Sequence, residues 1–354
     1  MSLSRILLCV FALAFAWPAA AQETRWEPLG AIPVDQAGVG RRGYVLAPEG
    51  ADVTQPGTDQ ISVHAVAGNN IYREQLGADL ISQRFETHTL ALAYRHGFKI
   101  GRFPQFEIGG QVQLNERDSG FLNGFISGFE DVWTSVTGAT SAKNPLRANA
   151  ALLPPLGTFI TVNGRPSYAG AGSGSGFGDA SLVVKALLHD GASPGDTRVA
   201  ARLVVNVAGK PDFTEGNFAG VGVSLDKRLL SWAAFHGDVR ATMISDQMSA
   251  WNLPLKRTAF GYSAGSELKI TRNSSFVLQV DGGNTPYQPT GTVALDAGYG
   301  DVTLGVNHRF RAGTHSLITQ VYARENMNLP FSVRQNTDPD LAVGIKTTIA
   351  LGSR

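Results

Sequence analysis

The sequence predicts an all-β chain closed into a transmembrane antiparallel up-and-down β-barrel of about 12 strands, with one amphipathic helix in a long loop. Three observations predict it: an export leader, long segments that alternate apolar and polar residues, and connections that alternate short and long. The leader comes first. MSLSRILLCVFALAFAWPAAAQ carries one basic residue, Arg5, then an apolar run from Ile6 to Trp17, then Pro18 and the small residues Ala19, Ala20 and Ala21. That order of regions reads as a secretory signal peptide over 1–21, cut before Gln22. The run is too short to cross a bilayer of about 30 Å. Cys9 lies inside the run behind Ile6, Leu7 and Leu8, which does not fit a lipidation signal.

Composition narrows the class. Cys9 is the single cysteine, so once the leader is removed there is no thiol for a disulfide, a metal or a nucleophile. Of 30 Lys and Arg, Arg5 leaves with the leader, so 29 remain against 29 Asp and Glu. That balance gives no electrostatic case for nucleic acid as a partner. The 41 Gly and 17 Pro favour strands and turns over long helices. No later apolar run is long enough for a transmembrane helix, so a membrane-embedded chain must cross with strands.

Twelve alternating segments follow, near 59–67, 83–96, 104–115, 177–189, 197–208, 217–226, 231–244, 257–270, 273–282, 300–310, 314–325 and 340–351. The stretch FEIGGQVQLNE puts Phe106, Ile108, Val112 and Leu114 on one face, and Glu107, Gln111 and Gln113 on the other. Val199, Ala201, Leu203, Val205 and Val207 likewise oppose Arg202 and Asn206. The connections run long (68–82), short (97–103), very long (116–176), short (190–196), and so on to the end. Short turns on one rim and long loops on the other mark an outer-membrane barrel with periplasmic termini. A soluble two-layer sandwich also has one apolar face per strand, but its strands are shorter and its turns need not alternate. In lipid only a closed sheet satisfies every backbone N–H and C=O, so the apolar faces are expected to meet lipid and the polar faces a lumen.

On this register Glu107, Gln111, Lys185, Arg202, Asp238, Arg240, Glu267, Lys269, Asp281, Arg309, Arg324 and Lys346 point inward. They are read either as the lining of a mildly anion-preferring, water-filled pore or as paired charges that fill a narrow barrel. Residues 22–57, rich in Gly and Pro, are read as a periplasmic lead-in, a disordered arm, or a plug folded into the lumen. The barrel proper spans 58–354.

In the 116–176 connection the period changes. Phe121, Leu122, Phe125, Ile126, Phe129, Val132, Trp133 and Val136 recur at helical spacing, which predicts an amphipathic helix over 120–136. Phe121, Phe125, Phe129 and Trp133 are its candidate contacts, as a lid, an interfacial anchor or a contact for an apolar substrate at the barrel mouth, or as a helix packed on its own loop.

GFLNGFISGFEDVW and the following GSGFGDASLVVK, Gly174 to Lys185, resemble an uncharacterised Gram-negative outer-membrane family classed as a domain of unknown function. The second motif is also similar to the phenol-degradation meta-pathway outer-membrane proteins, regarded as channels for hydrophobic compounds. The resemblance implies a barrel over most of the chain and no assigned activity. An acid is commoner in the family where Asn123 stands, and a His where Glu130 stands. The last strand also ends at Ile349 to Arg354 without a terminal aromatic.

Other motifs carry no chemistry. GSGSGFG, Gly172 to Gly178, fails the dinucleotide spacing and precedes a strand where a phosphate loop needs a helix. His64, His88, His96, His189, His236, His308 and His315 are scattered singly, without zinc-ligand spacing. His315 and Ser316 are adjacent, so in a strand they face opposite ways and cannot share a proton. The expectation is therefore no catalytic, cofactor or metal site. The lead reading is a channel or uptake path in the outer membrane for a small solute, hydrophobic ones included, with the 120–136 helix gating or lining the outer mouth. The alternatives are a plugged barrel whose long loops contact a partner or surface lipid, and an exported soluble β-protein.

Overall fold

The computed structural model describes residues 27–33, 44–101, 105–120, 155–191, 197–210, 213–214, 216–312, 315–326 and 341–352, together with Leu122, Gly124, Ile126 and Gly128. Fourteen strands form one antiparallel sheet: β1 (Asp59–Leu76), β2 (Asp79–Lys99), β3 (Gln105–Asp118), β4 (Gly157–Val162), β5 (Arg165–Ala171), β6 (Gly174–His189), β7 (Arg198–Val207), β8 (Phe218–Leu230), β9 (Ala233–Ile244), β10 (Thr258–Lys269), β11 (Ser274–Gly283), β12 (Tyr299–Ala312), β13 (His315–Asn326) and β14 (Leu341–Leu351). β1 pairs with both β14 and β2, so twelve strands close a ring. The hairpin β4–β5 hangs on the outer half of β2, with Leu80 opposite Thr161 and Arg84 opposite Gly157.

Register fixes what each face sees. Ile108 stands opposite Val184, Leu182 opposite Val205, Leu203 opposite Val221, and Leu278 opposite Leu304, and all of them face outward. Leu182 is 70 % exposed while Glu107, one pleat away from Ile108, is 2 % exposed. Among the described residues, charged side chains fill the inside and aliphatic ones coat the outside, the reverse of a soluble sandwich. That arrangement is stable only if the outer belt meets hydrocarbon. Aromatic rings stand at the short-turn end of the belt, where Phe98 stacks on Phe106 and the His308 ring lies tilted against Phe310 at 59°. Such rings are at home where apolar and aqueous phases meet. Leu203→Arg, in the middle of β7, is expected to weaken folding into bilayers by about 2–4 kcal/mol. Urea titration in lipid vesicles measures it, and an unchanged midpoint would place this face away from lipid.

The twelve ring strands lie where the alternating pattern put them, to within a few residues except at the β1–β2 end. The expected long connection over 68–82 is instead strand: β1 and β2 continue to a turn at Gly77 and Ala78. The two-residue period fails there because both faces are covered, with every residue from His64 to Tyr72 buried. The β4–β5 hairpin, inside the expected 116–176 loop, was also not anticipated. It is short, contains Pro166, and shows little alternation.

Of the expected helix, Leu122, Gly124, Ile126 and Gly128 are described, and all four are helical. Leu122 and Ile126 pack on Ala67 beside Leu341 and Val343, against the outward side of β1 and β14. The Leu122 N–H donates to the Glu86 carboxylate. Phe121, Phe125, Phe129 and Trp133, like the leader 1–21, lie outside the described residues.

Candidate functional site

Residues 27–33 and 44–58 lie against inward-facing side chains of the ring strands, as two legs. The first, 27–33, rises from the short-turn rim. Glu27 pairs with Arg309 at 2.7 Å, the Leu29 and Gly30 N–H groups donate to Glu267, and Ile32 bonds Gln279 through both backbone groups. Ile32 then packs on Val66, Val277, Tyr322 and Ala342 at mid-depth. The second leg, 44–58, descends along the opposite wall. Tyr44, Val45 and Leu46 join an apolar cluster at the long-loop rim, Glu49 sits among wall cations, and Thr54 donates to Glu107. Its lower end crosses β2 at Gly97, where any Cβ would lie 2.2 Å from the Thr54 and Gln55 carbonyl oxygens. Only glycine permits that approach.

Charge holds the second leg. The Glu49 Oε1 accepts from Arg95 Nη1 at 2.7 Å and Lys185 Nζ at 3.0 Å, and its Oε2 accepts from Arg202 Nη1 at 2.7 Å. Lys185 also donates to the Gly50 and Asp52 carbonyls, and Arg202 to the Ala47 carbonyl. Burial alone would raise the Glu49 carboxyl, but Arg95, Lys185 and Arg202 together hold it well below the usual 4.5. Lower down, the Ala51 N–H donates to Asp226 at 2.6 Å and Asp52 pairs with Arg198 at 2.8 Å. His236 lies between Asp226 and Glu267, at 2.7 and 2.9 Å, and so links the carboxylates that grip the two legs.

The residues expected to point inward fall into several groups. Glu107, Lys185, Arg202, Asp238, Arg240 and Asp281 form one chain of charges, joined through Arg95 and Glu49. Glu267 belongs to the His236 cluster, and Arg309 to the Glu27 pair. Gln111 and Lys346 face a cavity of about 110 Å³ that also touches Glu49, Arg95, His64 and Pro33. Arg324 is fully buried, and Lys269 stands exposed at the short-turn end of β10. Arg95, Arg198, Asp226 and His236 were not singled out from the sequence. For Arg95 the signal was present, because Leu92 and Tyr94 face outward and put Arg95 inside. A recess of about 680 Å³ opens between the two legs at the short-turn rim. At the long-loop rim, Trp251 stacks on Tyr287 within the apolar cluster that includes Tyr72, Ile81 and Ile160. Among the described residues no group of three or more His, Cys, Asp or Glu side chains is placed to hold a metal ion.

A closed antiparallel ring with an apolar belt and a charged interior defines the class: this is the fold of outer-membrane β-barrels. In particular, the chain is similar to the crystal structure of an outer-membrane channel from Pseudomonas putida F1, with a TM-score of 0.52 and 12 % identity, over 85 % of this chain and 98 % of that one. It also aligns with a Pseudomonas aeruginosa FadL homologue (TM-score 0.38, 11 % identity, 89 % of this chain and 95 % of that one). A third likeness is to the CymD monoaromatic hydrocarbon channel (0.39, 11 %, 90 % and 94 %). These last two are too loose to carry a functional argument. No protein-family model matches the chain, and no curated protein does.

Proposed function

We propose that the chain, exported by its leader 1–21, is an outer-membrane channel for a small solute, held closed by residues 22–57 acting as a plug. The carrying observation is the two-walled grip. One leg is tied to β10, β11 and β12 and the other to β2, β3, β6, β7 and β8, through side chains rather than through strand pairing. A segment held by side-chain bonds can leave without opening the ring. The resemblance to phenol-degradation proteins implies a hydrophobic solute. The inward faces here are charged and amide-bearing, which favours a hydrated, polar one.

Acid provides the test. Glu49 binds its cations only as a carboxylate, and docking depresses its pKa. Its contribution to docking is therefore complete above the undocked value near 4.5 and is lost as pH falls through the lower docked value. Planar-bilayer recording is expected to show a closed baseline with brief openings, unchanged from neutral pH down to about 5 and more frequent below about 4. A steady open level at every pH removes the plug as gate. A protein that inserts and never conducts favours instead a plugged barrel whose loops bind a partner or surface lipid.

A further inference from the structure

Glu49 enters the wall as a ligand would. Both of its oxygens are taken, one by Arg95 and Lys185 and the other by Arg202, at 2.7 to 3.0 Å. The three cations belong to β2, β6 and β7, and the carboxylate belongs to the removable leg. Counted among the described residues along the connected network, the wall supplies Arg95, Lys185, Arg202 and Arg240 against Glu107, Asp238 and Asp281. Glu49 is the fourth carboxylate and brings the set to balance. Withdrawing it leaves a partly buried cluster with one excess positive charge, a state that a low-dielectric lumen disfavours until another anion arrives.

The described parts of the two legs repeat the pattern. In 27–33 and 44–58 the charged residues are Glu27, Glu49 and Asp52, all acidic, and each meets wall arginine. Space is already present beside the Glu49 carboxylate. The cavity of about 110 Å³ continues from it past Gln111, Gln113 and Lys346.

We infer that Arg95, Lys185 and Arg202 form a binding site for the carboxylate of a small organic acid in solution, and that Glu49 is a tethered stand-in occupying that site while the lumen is shut. The inference rests on the channel reading and gives it a solute class. A carboxylate presents two oxygens about as far apart as the Arg202 and Arg95–Lys185 donors require, and guanidinium groups recognise that fork by paired charge-assisted bonds. A neutral apolar solute would leave the excess charge uncompensated. A cation would be repelled.

The test uses the whole chain carrying Glu49→Gln, which weakens the latch and keeps the side-chain length. Reversal potentials across a potassium chloride gradient are expected to give an anion-over-cation permeability ratio above about 5. Added succinate is expected to reduce the chloride current at concentrations where glycerol has no effect and sulfate has at least several-fold less. Adding Arg202→Gln, or separately Lys185→Gln, should lower the ratio and remove the succinate block, with heat-modifiable migration on gels showing that each barrel has closed. A pore that opens but prefers cations, or that treats succinate like glycerol or like sulfate, overturns the carboxylate site and leaves the gated channel standing. A protein that conducts in none of these variants fails the channel reading, and this inference with it.

Discussion

Glu49→Lys is expected to leave the barrel intact and the lumen open, raising open probability at neutral pH at least about a hundredfold over the unaltered chain. The substitution replaces a carboxylate bound by Arg95, Lys185 and Arg202 with an ammonium pressed against the same three groups. Each charge-assisted hydrogen bond contributes about 1.5–3 kcal/mol, so losing two of them exceeds the roughly 2.8 kcal/mol that a hundredfold shift requires, before any repulsion is counted. The remaining ties of the second leg include the backbone carbonyls bound by Lys185, Arg202 and Arg240, the Asp52–Arg198 pair, and the Ala51 and Thr54 contacts. These are bonds the leg shares with a wall that now repels it. Glu49→Gln, which removes charge without reversing it, should fall between the two. Single-channel recording at neutral pH measures the effect. If Glu49→Lys stays as closed as the unaltered chain, the latch lies elsewhere, and the apolar cluster around Trp251 and Tyr287 at the long-loop rim becomes the barrier to examine.

The ring was legible because its physics is local and periodic. Leu203 and Val205 face outward and Arg202 inward for the same reason that successive Cβ atoms in any strand point opposite ways, and one register shift would reverse all of them. Legibility ends where one face no longer differs from the other. At Asn69, Asn70, Ser82 and Gln83 both sides of β1 and β2 are covered, so polar residues stand where an aliphatic stripe would have marked a strand. Glu86 and His88 face outward yet are buried, Glu86 beneath the Leu122 N–H. A period-2 reading has no means of anticipating that Leu122 and Ile126 are laid over the outside of the sheet.

The candidate site divides in the same way. Its wall half follows from alternation: Lys185, Arg202, Asp238 and Arg240 point inward because Val184, Leu203 and Val239 point out. Its plug half does not. EPLGAIP and YVLAPEGADVTQPGT carry no repeat that distinguishes an arm in solvent from one threaded through a lumen. What places them is complementarity at long range: Glu27 to Arg309, Glu49 to Arg202 and Thr54 to Glu107. Such pairings become visible only once the ring has closed and put those wall residues at matching heights. Glycine supplies the remaining clue, since Gly97 stands where a side chain would block the descending leg.

Arg240→Ala is expected to cost the barrel about 3–5 kcal/mol of stability. Arg240 is almost wholly buried and lies between two carboxylates, 3.1 Å from Asp238 through Nε and bonded to Asp281 through Nη2. It also donates to the Tyr262 carbonyl of the wall and the Leu46 carbonyl of the plug, at 2.9 and 2.8 Å. The strand beside it makes room for the guanidinium by placing Gly261 directly opposite, where a Cβ would come within 3.0 Å of Arg240 Nε and Nη2. Alanine would leave Asp238 and Asp281 with no cation between them, in a space too polar to stay dry and too enclosed to screen them fully. Arg240→Lys keeps the charge and loses the planar fork, so it should recover part of the stability but not all of it. Because Arg240 also holds Leu46, the alanine variant is expected to open more often as well as unfold earlier, whereas Glu49→Lys changes opening alone. Urea unfolding in lipid vesicles, set beside single-channel recording of the same two variants, separates the effects. An Arg240→Ala barrel as stable as the unaltered one would mean that the charges of this wall are screened by water that already fills the lumen.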